Sequence, residues 1–226
     1  MNTRLLSIIA AAGIAVSTSA NALFVDLTDT SLFPAGPVGG PVATSVGGVT
    51  VTVTSSPNTL NFNDIIASPG TSAFCTAGGG SFACDSDGAG IGGPNPDEIN
   101  GDEVLTITFS EAVEITAFYL LDFFFDEDDE ESAEISYDSG PSDVVDATEV
   151  FVQFGNGFFA STGLSRITST VTFVALDSND LQGVGDFAVA GLEFNLIERE
   201  IPVPAALPLM LTGLAGLALY RRRRAA

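Results

Sequence analysis

The chain has 226 residues, 29 acidic and seven basic, a formal charge of −22 and no His. The absence of His excludes imidazole-dependent Ser or Cys triads and His-ligated zinc, and the absence of Lys excludes Schiff-base chemistry and the Lys-bearing phosphate loop. No Asp or Glu precedes Asp26 or follows Glu200, so the stretch between holds all 29 acids against Arg166 and Arg199, a formal −27 that argues against nucleic-acid partners and direct membrane-surface binding.

At the start, MNTR leads into the apolar run LLSIIAAAGIAV and then into STSANA. Ala20-Asn21-Ala22 supplies the small-x-small pattern that signal peptidase accepts, so residues 1–22 read as a signal peptide cut after Ala22. The rival reading, a first buried helix, fits poorly with so complete a change of composition afterwards.

Residues 23–200 then read as strands. GGVTVTVTSS alternates Val49, Val51 and Val53 with Thr50, Thr52 and Thr54, a period of two in β-branched residues. EVLTITFSEAVEITAFYLL predicts two strands joined by a tight turn at Ser110-Glu111, with Leu105, Ile107 and Phe109 on one face and Val113 and Ile115 resuming after it. Further strands are expected in AEISYD, TEVFVQFG, RITSTVTFVAL and DFAVAGLEFNLI. Asp138-Ser139-Gly140-Pro141, Gly155-Asn156-Gly157 and Asp177-Ser178-Asn179-Asp180 separate them as turns. Short strands, 24 Gly, 11 Pro and 17 Phe predict an all-β fold, an antiparallel β-sandwich of jelly-roll type. A β-solenoid would need a fixed repeat, and none is visible.

Cys75 and Cys84 bracket the Gly-rich CTAGGGSFAC. In an exported chain they are expected to form a disulfide, stabilising by roughly 2 kcal/mol. A reactive thiol, the alternative, has no His to activate it.

Two acidic stretches are candidate metal sites. In LDFFFDEDDEESAE, Asp126, Asp128 and Asp129 stand in a run of six carboxylates, whose mutual repulsion a hard cation such as calcium would relieve. A solvated loop is the rival reading, since neighbouring side chains of an extended segment point apart. In CDSDGAGIGGPNPDEINGDE, Asp85 and Asp87 share a D-x-D-G fragment with calcium loops, but Ala83 and Pro94 break the remainder of that pattern. Acid enrichment also suits salty surroundings without any bound calcium.

The tail ends in IPVPAALPLMLTGLAGLALYRRRRAA. Residues 205–220 form an uncharged run of 16, a marginal transmembrane helix against the ~20 residues of a relaxed crossing. Arg221, Arg222, Arg223 and Arg224 act as a stop-transfer cluster held on the cytoplasmic side. A marginal span beside prolines reads as a segment to be recognised and cut. Pro202, Val203, Pro204 and Ala205, the apolar run and the Arg cluster together closely resemble the C-terminal sorting signal of the PEP-CTERM class, in its VPLPA-CTERM variant. Ile201 and Val203 stand where that variant has Val and Leu. An ordinary tail anchor is the alternative.

The resemblance implies a membrane-embedded exosortase as the sorting protease, cutting near Pro204. It also implies a product that is transiently in the inner membrane and then at the cell surface or outside the cell, often within an extracellular polysaccharide matrix. GDEVLTITFS and DFAVAGLEF are similar to the jelly-roll ectodomains of such proteins. The expected function is that of a non-enzymatic surface or matrix protein, adhesive or calcium-bridged. The alternatives are a lectin-like carbohydrate-binding module, for which Tyr119 and Tyr137 are the available tyrosines, and a carboxylate-pair glycoside hydrolase.

Overall fold

The computed structural model describes residues 22–34, 36–62, 82–86, 88–92, 98–126, 129–150, 157–176, 187–197 and 221. The chain divides into two compact units, Met1–Leu196 and Ile197–Ala226. Among the described residues the first unit is mostly β-strand, dominated by one antiparallel sheet of 11 strands.

Its backbone is a pair of very long strands, β7 (Val104–Leu121) and β13 (Phe159–Ala175), which run antiparallel along nearly their whole length. The turn expected at Ser110-Glu111 is absent: residues 110–112 are exposed strand within a continuous β7. The chain bends there without reversing, because β13 pairs with both halves. Thr168 lies opposite Val113 and Thr170 opposite Thr108, so the additional β7 residues bulge outward and form a corner.

The other neighbour of β7 changes at this corner. Its first half pairs with β4 (Val49–Ser56), and its second half with β14 (Ala188–Leu196). β4 keeps the alternation read from the sequence, with Val49, Val51 and Val53 buried. It forms a hairpin with β3 (Val42–Val46), closed by Gly47 and Gly48 at φ 60° and 89°. Both positions need left-handed backbone, which glycine adopts without a Cβ penalty.

On the other side, β10 (Ser132–Tyr137) and β11 (Asp143–Asp146) extend the sheet beyond β13. Beyond β14 lie β6 (Ala89–Gly92), β5 (Thr59–Phe62) and β2 (Gly36–Val38), while β1 (Leu23–Asp26) pairs with the end of β14. β13 begins seven residues before the expected RITST strand, in FASTGLS, where pairing with β7 overrides weak local propensity.

A second bulge decides which residues are core. Ile115 faces Phe194 and Ala117 faces Glu193, so Thr116 is an extra residue in β7. Side chains alternate along a strand, so one added residue exchanges its faces. Val113 and Ile115 before the bulge, and Phe118 and Leu120 after it, all join the main core. Ala117, Tyr119 and Leu121 turn to the opposite face, where Phe82, Cys84 and Ala190 cover them in a second cluster. The main core draws on both halves of the sheet, and Phe109 meets Phe194 with ring centroids 5.1 Å apart.

The acidic run after Phe125 forms a hairpin where the sequence suggested a loop. β8 (Phe124–Asp126) pairs with β9 (Asp129–Glu130), and β12 (Glu149–Val150) adds parallel to β8. Burial of Phe123 and Phe124, and the Phe124 N–H donating to Glu131 Oε2 at 2.6 Å, hold it to the domain.

Candidate functional site

The structure brings three of the expected sites together at the start of β1. Ala22 is exposed, Leu23 opens the strand, and the segment of residues 82–86, which carries Cys84 and Asp85, packs alongside. The joint is a buried polar hub built from Asp26 and Thr28. Asp26 Oδ1 accepts from the Thr28 N–H at 2.9 Å and the Thr28 hydroxyl at 2.6 Å, and Oδ2 accepts from the Ala83 N–H at 2.6 Å. Thr28 Oγ1 in turn accepts from the Cys84 N–H at 3.0 Å, and its carbonyl from the Asp85 and Ser86 N–H groups at 3.1 Å each. Thr28 and Ser86 are fully buried and Asp26 is nearly so.

Burial pushes the Asp26 carboxyl above its ordinary value, with its three donors pulling back less strongly. Those donors also occupy both oxygens. The arrangement therefore acts as a staple for a loop and has no free carboxylate to serve as a general base. The D-x-T spacing behind an apolar strand is the signal that betrays it, because Asp at a turn accepts from the backbone two residues on.

Cys84 is disulfide-bonded, 5% exposed and held at a φ of 55°; Cys75 lies outside the described residues. Above it Phe82, Phe24 and Tyr119 meet edge to face, with centroids 4.9 to 6.0 Å apart. Cys84→Ser should lower the unfolding free energy by about 2–4 kcal/mol. Urea unfolding with and without reductant checks this: reductant should bring the parent down to the variant and leave the variant unchanged.

Of the metal candidates, Asp85 is the one whose side chain is described. Asp85 accepts from the Thr30 hydroxyl at 3.3 Å, and Asp126 is paired with Asp129 across the β8–β9 hairpin. Asp87 and Asp128 lie outside the described residues. Among the described residues no three Cys, Asp or Glu side chains form a metal-holding group.

A second polar cluster surrounds Arg166. Its guanidinium forks onto Asp143, with Nη2 at 2.5 Å from Oδ1 and Nε at 3.2 Å from Oδ2, while Tyr137 donates to Oδ2 at 2.8 Å. Arg166 lies 5.8 Å from the Tyr137 ring centre. Arg166 holds the Asp143 carboxyl below its usual range, whereas burial, followed by Asp143 itself, pushes the Tyr137 hydroxyl up. A depressed carboxyl contributes stability that is complete above its unfolded value and lost as pH falls through the folded one. Asp143→Asn should therefore destabilise more at pH 7 than at pH 3, read as the difference in Tm from the parent at each pH.

Neither tyrosine offers a flat face to a sugar. Tyr119 is buried among Phe24, Phe82 and Phe158 and donates to Glu193 at 2.7 Å, and Tyr137 carries Arg166 over its ring. An open groove of about 370 Å³ lies between Val38, Pro41, Thr54, Pro57, Asn58 and Leu60. No ionisable side chain lines it, so it holds no pair of carboxylates for glycoside hydrolysis.

Ala20, Pro202, Val203, Pro204, Ala205 and the run of residues 205–220 lie outside the described residues; Arg221 is helical and exposed. Among the described residues no helix is long and apolar enough to cross a membrane. No protein-family model matches the chain, and no curated protein matches it.

Proposed function

We propose that this chain is an exported, non-enzymatic protein of the cell surface or extracellular matrix. Signal peptidase frees it in front and an exosortase-type protease at the back. The observation that carries the reading is where the ordered domain lies between the two signals. β1 opens at Leu23, immediately after Ala20-Asn21-Ala22, and β14 closes at Leu196, shortly before Pro202-Val203-Pro204-Ala205. Neither cut would remove a residue of the sheet.

The domain folds as a jelly-roll sandwich in this reading. The corner in β7 and β13, and a main core fed by both halves of the sheet, support that architecture. Its role is to present an acidic surface outside the cell, in adhesion or within a polysaccharide matrix. The covered tyrosines speak against the lectin-like alternative.

Replacing Pro202 and Pro204 together with Ala tests the sorting step. The expected result is a chain with its tail uncut, accumulating in the inner-membrane fraction. Normal cutting and arrival at the surface would contradict the reading.

Charge repulsion predicts a further result. Asp126 and Asp129 are backbone partners in a segment of formal charge −27. Screening should raise the Tm equally with sodium and calcium chloride at matched ionic strength. A rise specific to calcium would instead assign a site to Asp126, Asp128 and Asp129, or to Asp85 and Asp87.

A further inference from the structure

We propose that β1 is a latch whose seating must follow removal of the signal peptide, because the folded domain locks the Leu23 side of the bond that signal peptidase must reach. The inference rests on the export reading above and adds an order of events to it.

Ala22 is exposed, but the next two residues are already in the sheet: Leu23 pairs with Phe194 and Phe24 with Glu193. No spacer separates the expected scissile bond from the first rung of the ladder. Both residues are also held by their side chains. Leu23 packs on the main core and lies so close to the β3–β4 turn that a Cβ added at Gly47 would collide with its Cδ1. Phe24 meets the edges of the Phe82 and Tyr119 rings at 4.9 and 6.0 Å. Behind them, the Asp26 and Thr28 hub ties β1 to the Cys84 segment.

A peptidase that reads an extended segment pairs with its backbone much as a strand adds to a sheet edge. On the Leu23 side of the bond, β14 already holds residues 23–26 in such a pairing. Cleavage of the folded chain would first require β1 to fray, losing the Leu23 and Phe24 contacts together.

The seat for β1 is the last strand of the domain, Ala188–Leu196. During export the scissile bond therefore emerges long before its cover. At synthesis rates of ~5–20 residues per second the bond stays open for roughly ten seconds or longer. Seating of β1 ends that interval.

Topology alone does not enforce this order. β1 and β14 are antiparallel, so the start of one and the end of the other lie at the same end of the sheet. A chain still carrying its signal peptide could close its fold. A precursor that folds too early would then be trapped with its signal attached.

The full-length precursor tests this in two states, folded in detergent micelles and unfolded in urea with dilution at the moment of mixing, each offered to purified signal peptidase. Cleavage after Ala22 is followed by N-terminal sequencing. The folded precursor should be cut slower by about tenfold or more, the penalty of local opening. A short Gly/Ser spacer inserted between Ala22 and Leu23 should restore the rate of the unfolded chain. Equal rates for the two states at native spacing would overturn the latch and leave the export reading standing; this comparison needs no variant. Absence of cutting after Ala22 in both states would overturn the export reading and the latch with it.

Discussion

Asp26→Ala should destabilise the domain by about 3 kcal/mol at neutral pH, because it strips an acceptor from the buried Thr28 N–H and hydroxyl and from the part-buried Ala83 N–H at once. For a domain of this size that corresponds to a fall in Tm of roughly 6–12 °C. Asn is no substitute, since its NH2 would face one of the donors that Asp26 now satisfies. The pH dependence carries the sign of burial. A carboxyl held above its ordinary value binds a proton more readily in the folded state, so its contribution weakens as pH rises through the folded value. The loss on replacement should therefore be larger at pH 3 than at pH 7, opposite to Asp143→Asn. Urea unfolding of the mature domain at the two pH values reads both, and an Asp26→Ala loss that grows with pH would contradict the account of the hub.

Phe118→Ala should cost about 3–5 kcal/mol, the range for emptying a buried aromatic site. Phe118 is fully buried, with the rings of Phe159 and Phe173 at 6.2 and 6.0 Å. The prediction depends on the bulge at Thr116. With unbroken alternation through Thr116, Phe118 would lie on the face opposite Val113 and Ile115, outside the main core. Glu114→Ala is the contrast. Glu114 lies on the solvent side with Ser165 and Asn195 donating to it at 2.6 and 3.3 Å, and its loss should stay within about 1 kcal/mol. Equal effects of the two substitutions in a denaturant titration would mean that the face exchange is wrong.

The sequence made β4 legible because Val and Thr alternate without interruption, and the Gly47-Gly48 pair closes its hairpin. It misled at Ser110-Glu111. A polar pair between two apolar alternations has the local pattern of a turn, and nothing local distinguishes a chain that reverses from one that bends around a corner. What distinguishes them is β13, more than forty residues downstream, which pairs with both halves. The Thr116 bulge was hidden for the same reason. AFYLL is apolar on every side chain, so no alternation remains in it to show a change of face. The FASTGLS portion of β13 contains a Gly and small polar residues, and it is a strand through its partner alone.

The site was legible in parts. Ala22 and Cys84 were marked by motif and by residue type, but their meeting at the Asp26 and Thr28 hub depends on contacts spanning 56 and 57 positions, which short-range pattern does not reach. The acidic run drew notice for its charge, whereas its fold is set by the phenylalanines before it. Repulsion among six adjacent carboxylates suggested a cation site, with a solvated loop as the rival, and burial of Phe123 and Phe124 holds the segment beside the domain all the same.

Intact mass spectrometry of the protein recovered from its native cells tests the proposal that two cuts frame the sheet. The account predicts a polypeptide that begins at Leu23 and ends near Pro204, with the Arg cluster gone. Recovery of the chain at its full 226 residues, with both ends in place, would contradict it.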